Sequence, residues 1–157
     1  MKTIEFNIPR SEVEELVDQT AAYTGARSEG ADGERFDRVA TADTDSPFVG
    51  RFLSEAFNTM TERLKEFVTA ADCSGDALRM SLELSDSWDP SMAAAARAAF
   101  VSYLAAFVTF RWMCLTMPGK AAEWESETIR HAVALERNLF HRRPPVRIVQ
   151  PTITDNQ

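Results

Sequence analysis

The stretch from Ala98 to Phe110, AAFVSYLAAFVTF, carries no charge and no strong breaker, and arginines bracket it at Arg97 and Arg111. Such a segment crosses a membrane, lies on one, or forms the buried helix of a globular domain. As a helix it spans ~20 Å at ~1.5 Å per residue, against ~30 Å of bilayer hydrocarbon. Crossing would place Arg97 or Arg111 in the membrane, at about 2.5–3.5 kcal/mol on insertion scales. An interfacial helix needs a Lys/Arg-rich polar face, and between the two arginines only Ser102, Tyr103 and Thr109 are polar. A helix that is apolar nearly all round belongs at the centre of a protein. The run therefore reads as a core helix, with Phe107 near its middle.

Two segments show the period of a half-buried strand. In TIEFNI, Ile4, Phe6 and Ile8 alternate with Thr3, Glu5 and Asn7; in ALRMSLEL, Leu78, Met80, Leu82 and Leu84 alternate with Arg79, Ser81 and Glu83. An isolated strand leaves its backbone unpaired, so the second needs a partner, and Thr3–Ile8 is the best one earlier in the chain. VRIVQPTIT near the C-terminus is a candidate third strand, and pairing between chains is an alternative.

Helical signals fill the rest. Ser11 and Glu14 form a capping box after Pro9, with Val13, Leu16, Val17 and Ala21 on one face and Gly25 as a stop. Ser46 and Pro47 open a second helix, whose stripe of Phe48, Phe52, Leu53, Ala56, Phe57, Met60, Leu64, Phe67 and Val68 predicts helix to about Ala70. Asp89 and Pro90 start the third helix, and Pro118–Gly119 break it. In the last helix Ala121, Trp124, Thr128, Ala132, Leu135 and Leu139 share a face. The short turn makes the last two helices antiparallel neighbours. Alanines 94, 98, 105 and 106 are expected to admit close neighbours to the third helix. The expected fold is mainly α: a four-helix bundle-like domain with a minor two- or three-stranded β element. It covers residues 1–145, with a mobile loop over 26–45 and an extended C-terminal arm over 146–157.

The chemistry-bearing residues are sparse. His131 and His141 are the only histidines, ten positions apart and off a common helix face. A di-iron bundle needs two E-x-x-H pairs, but Thr128 and Asn138 stand at the required positions, and no Asp or Glu occurs from Met92 through Ala122. Glu127 and His131, four apart, read as a surface contact. No P-loop, G-x-S-x-G or strand-linked G-x-G-x-x-G occurs. Cys114 reads as a small hydrophobe on the apolar helix, and Cys73, beside Asp72, as a poor thiolate. No enzyme, cofactor or metal is expected. MKTIEFNIPR lacks an apolar signal-peptide core, so the expected compartment is the cytoplasm, or a virion built there.

A net charge of -7 argues against nucleic acid over a broad surface. The tightest basic cluster is ERNLFHRRPPVR, with Arg137, His141, Arg142, Arg143 and Arg147, followed by Ile148. Cations belong at a helix C-terminus for electrostatic reasons alone. Arginine forks also recognise carboxylates, and in so acidic a chain pairing with acidic residues, within the chain or between subunits, is favoured over nucleic acid. These six residues form the candidate interaction site. A dangling terminus is the ordinary fate of such an arm, but its apolar residues favour docking, with Arg142 and Arg147 on carboxylates.

In its order of features the chain resembles small prophage-encoded, mainly helical proteins of gut bacteria, uncharacterised or of virion-assembly type. The matching pieces are the alternating strand Leu78–Leu84, the W-D-P of Trp88–Pro90, Trp112, Pro118 and the arginines and prolines of Arg142–Arg147. The resemblance implies a non-enzymatic structural role, such as a head-to-tail connection. The expected partners are further copies of the chain or other virion proteins, and the length of the apolar run between Arg97 and Arg111 argues against a membrane. The acidic charge supports a second reading, a small immunity or inhibitor protein that caps a basic partner.

Overall fold

Ile4, Phe6 and Ile8 lie opposite Leu82, Met80 and Leu78 in an antiparallel pair that joins β1 (Lys2–Pro9) to β3 (Ala77–Leu84) along their whole length. The alternation in each segment becomes one buried sheet face, because opposed residues of an antiparallel pair project to the same side. The computed structural model describes residues 1–27 and 46–145, with the backbone alone for residues 25–27. Between and after these strands lie α1 (Arg10–Arg27), α2 (Ser46–Arg63), β2 (Val68–Asp72), a 3-10 turn (Pro90–Met92), α3 (Ala93–Thr116) and α4 (Pro118–Leu139).

The third strand is β2, and the sheet order is β1-β3-β2. The helix expected to reach Ala70 ends at Arg63 instead. Leu64, Phe67 and Val68 continue the three-four spacing of α2, but Val68–Asp72 takes up the free side of β3, with a bulge between Val68 and Ala70. Backbone pairing with β3 outweighs helix propensity there. The other candidate for this place, residues 146–154, lies outside the described residues, as do residues 28–45 of the expected loop.

Helix α1 begins at Arg10, directly after Pro9, so Ser11 is its second residue rather than its cap; the helix runs past Gly25 to Arg27. It buries Val13, Val17 and Ala21, and leaves Leu16 exposed. Helix α2 buries Val49, Phe52, Leu53, Ala56, Phe57 and Met60, while Phe48 turns outward. Asp89 caps the 3-10 turn as expected, its carboxylate accepting from the Ser91 N–H at 3.1 Å, with Pro90 in the first position.

Helix α3 is the common partner: α1, α2, α4 and the sheet all pack against it. Its central residue is Phe100, fully buried, meeting Phe6 of the sheet edge-on at 5.2 Å and Phe57 of α2 at 6.2 Å. Phe107, expected at that centre, is half-buried, and Ala94, Ala98 and Cys114 face outward. By length and composition the stretch Pro90–Thr116 could cross a bilayer, but half of its apolar window is buried in this fold. The bracketing arginines pair with carboxylates of the neighbouring helices, Arg97 with Glu12 and Arg111 with Glu55.

Met117 alone separates α3 from α4. At the far end the Trp88 indole N–H donates to the Asn138 carbonyl at 3.1 Å, so the start of α3 lies beside the end of α4 and the two are antiparallel. The described fold is mainly helical, with four helices and a small three-stranded antiparallel sheet. The helices converge on α3 and touch one another little.

Candidate interaction site

Helix α4 presents its buried stripe, Thr128, Ala132, Leu135 and Leu139, to α3. The helix ends at Leu139, the last residue of that stripe, and the chain is fastened rather than released. The Phe140 N–H donates to the Glu136 carbonyl, closing the last turn. Residue Arg142 then forms an antiparallel bridge with Trp88. The Asp89 N–H donates to the His141 carbonyl at 3.2 Å, and the Arg143 N–H to the Ser87 carbonyl at 2.9 Å. The Arg143 guanidinium donates to the Asp89 carboxylate at 3.0 Å.

The cluster read from the sequence is thus partly brought together. His141, Arg142 and Arg143 lie side by side on the segment before α3. Arg137 is exposed one turn earlier on α4. Arg147 and Ile148 lie outside the described residues. The carboxylate pairing expected of Arg142 falls to Arg143, because the bridge to Trp88 turns the Arg143 side chain toward Asp89. Among the described residues neither Arg137 nor Arg142 makes an ion pair.

The Asp89 carboxyl is held below its ordinary value, first by the Ser91 backbone N–H and then, more weakly, by the Ser91 side chain and Arg143. Glu136, one turn back, takes both arms of Arg63 from the end of α2, at 2.5 and 3.0 Å. Phe140 packs on Phe67 at 5.0 Å between ring centres. The end of α4 is therefore held from two sides, by the loop before α3 and by the turn after α2.

Sequence reasoning missed the apolar residues beside this anchor. Ile129, Val133 and Phe140 are 57%, 41% and 44% exposed, and their spacing of four and seven puts them on one side of α4. Each stands one position after a buried residue, Thr128, Ala132 or Leu139, so a second stripe borders the first. That adjacency is visible in the sequence as the pairs TI, AV and LF. Arg130 and Arg137 flank the stripe, and Arg130 is tied to Glu127 at 2.5 Å.

The remaining titratable groups converge on nothing. His131 meets Glu127 at 3.6 Å along one helix face; burial first, and Arg130 second, lower its pKa. Among the described residues no group of three or more His, Cys, Asp or Glu is placed to hold a metal. A cleft between the end of α1 and the start of α4 is lined by Tyr23, Thr24, Trp124, Lys120 and Glu127, but Lys120 is already paired with Glu123 and Glu127 with Arg130. No protein-family model matches the chain, and neither a curated protein nor a solved structure matches it.

Proposed function

We propose that this chain is a non-enzymatic structural or interaction protein, working in virion assembly such as a head-to-tail connection, with self-association or other virion proteins as its partners. The observation that carries the reading is the exposed line of Ile129, Val133 and Phe140 on a helix end anchored from two sides. A rigid apolar strip rimmed by arginines is the composition of a protein-binding surface: the apolar centre is dehydrated on contact, and the arginines meet carboxylates at the edge. Arg137 and Arg142 supply that rim, and Arg147 and Ile148 extend it in sequence. A bundle-like arrangement of the helices around α3, a cytoplasmic or virion location, and the absence of membrane and nucleic-acid partners belong to the same reading.

The net charge of -7 favours a second reading, an immunity- or inhibitor-type protein capping a basic partner. Mass measurement in solution separates the two. Assembly predicts a concentration-dependent oligomer that Val133→Glu weakens by placing a charge on the strip. A monomer at every concentration that binds a basic protein overturns assembly in favour of capping.

A further inference from the structure

The two edges of the sheet are built differently. Strand β2 is short, bulged between Val68 and Ala70, and exposed from Thr69 onward. Those are the devices by which natural sheets blunt an edge against pairing with another chain. Strand β1 has none of them: it keeps an unbroken register with β3 from Lys2 to Pro9, and proline occurs only at its last position.

The chain also draws both ends of β1 toward β3 and away from the outer edge. At one end Pro9 leads directly into Arg10, whose N–H donates to the Asp76 carbonyl and whose guanidinium donates to the carbonyls of Cys73 and Gly75 in the β2–β3 turn. The first residue of α1 therefore stays on the β3 side of the strand. At the other end the Lys2 ammonium, a side chain that could shield an edge, is turned to the Trp88 carbonyl at 2.6 Å. Among the described residues the outer edge of β1 pairs with nothing.

We propose that a second copy of this chain adds at this edge, β1 to β1 and antiparallel, making one continuous six-stranded sheet across the pair. The inference rests on the self-association reading above and names a surface for it. In a two-fold antiparallel pair, opposed residues share a face, so Ile4, Phe6 and Ile8 of each copy stay on the core side. A register centred on Glu5 would oppose two carboxylates, and one centred on Phe6 would bring Pro9, which has no N–H, into the ladder. The register centred on Ile4 avoids both. It sets Ile4 against Ile4 of the second copy on the inner face, and Thr3 against Glu5 of the second copy, twice, on the exposed face.

That juxtaposition gives a charge test on exposed side chains. Glu83 of β3 lies opposite Thr3 within each copy, in monomer and dimer alike, so denaturant unfolding of each variant reads the fold and sedimentation reads the seam. Thr3→Lys places two Lys–Glu pairs across the seam, and Thr3→Glu places two Glu–Glu pairs there. By sedimentation across a concentration series, Thr3→Lys tightens the dimer about five-fold and Thr3→Glu loosens it about five-fold. Amide exchange in the dimer also shows slowed exchange at alternate β1 residues, those pointing away from β3. An oligomer that Val133→Glu weakens while both Thr3 variants match the parent overturns the β1 edge and leaves the assembly reading standing. A chain that is monomeric throughout the series overturns both.

Discussion

Arg97 grips Glu12 with both arms of its guanidinium, Nη1 to Oε1 at 3.0 Å and Nη2 to Oε2 at 2.8 Å. The residue that opens the apolar run of α3 thus ties that helix to the first turn of α1. The hydrogen bonds hold the Glu12 carboxyl below its ordinary value of 4.5, against a smaller opposing effect of burial. A lowered carboxyl pKa stabilises the fold above the unfolded value, and the contribution is lost as pH falls through the folded one. Both side chains are about two-fifths exposed, which limits the pair to about 0.5–1 kcal/mol. Glu12→Gln is expected to lower stability by that amount at neutral pH, and by nothing once the pH is well below 4.5. Urea titrations at several pH values check this. A difference that persists unchanged in acid would mean lost packing rather than a lost ion pair.

The centre of the core is tested by a pair of substitutions in α3. Phe100 is fully buried between Phe6 and Phe57, so Phe100→Ala should cost about 3–5 kcal/mol. Phe107 is half-buried against Tyr103, at 6.1 Å between rings, and Phe107→Ala should cost roughly 1–2 kcal/mol. Denaturant unfolding of the two variants gives the order directly. Equal costs would mean that α3 is rotated about its axis relative to this packing.

Arg10 is expected to act as a clasp on the β2–β3 turn. Besides the carbonyls of Cys73 and Gly75, its guanidinium reaches the Ser54 hydroxyl at 3.2 Å, so one side chain joins α1, α2 and the turn. Arg10→Ala should cost about 1–2 kcal/mol, since the contacts are charge-assisted but partly open to water. Arg10→Lys should recover only part, because an ammonium cannot span the same acceptors. Hydrogen exchange is expected to quicken at the turn and in β2, while α3 and α4 stay protected. Uniform acceleration everywhere would make Arg10 a global contributor instead of a clasp.

What could be read in advance follows burial. The β1–β3 pair was legible because each strand has one face in the core and one in water, which writes a period of two into the sequence. Strand β2 was not, because Thr69–Asp72 is exposed on both faces and carries no such pattern. Its assignment depends on the free side of β3, a relation between distant residues. Phe48 and Val49 show the same limit at the start of α2: both fit an apolar stripe, and only the packing on α3 decides that Val49 goes in. The basic end of α4 was visible as composition. Which arginine meets a carboxylate depended on the Arg142–Trp88 bridge, and that contact spans most of the second half of the chain.

The final prediction concerns that bridge. Trp88 is almost fully buried and gives its indole N–H to the Asn138 carbonyl in the last turn of α4. Trp88→Phe keeps an aromatic ring in place but removes the donor, leaving that carbonyl without its partner, at about 1–2 kcal/mol. The effect should be local. Two amides report on it, Asp89 to the His141 carbonyl and Arg143 to the Ser87 carbonyl, and both should exchange faster in the variant while the β1–β3 ladder is unchanged. Arg143→Ala should speed the same two amides less, because both donate to backbone carbonyls and the Arg143 side chain supports them only through its contact with the Asp89 carboxylate. Acid should mimic the arginine variant. The Asp89–Arg143 contact is present above the ordinary carboxyl value of 3.8 and is lost as pH falls through the lower folded value. If the two amides in Trp88→Phe exchange as in the parent, the end of α4 is held by Phe67, Phe140 and the Arg63–Glu136 pair alone, and Trp88 serves only as core.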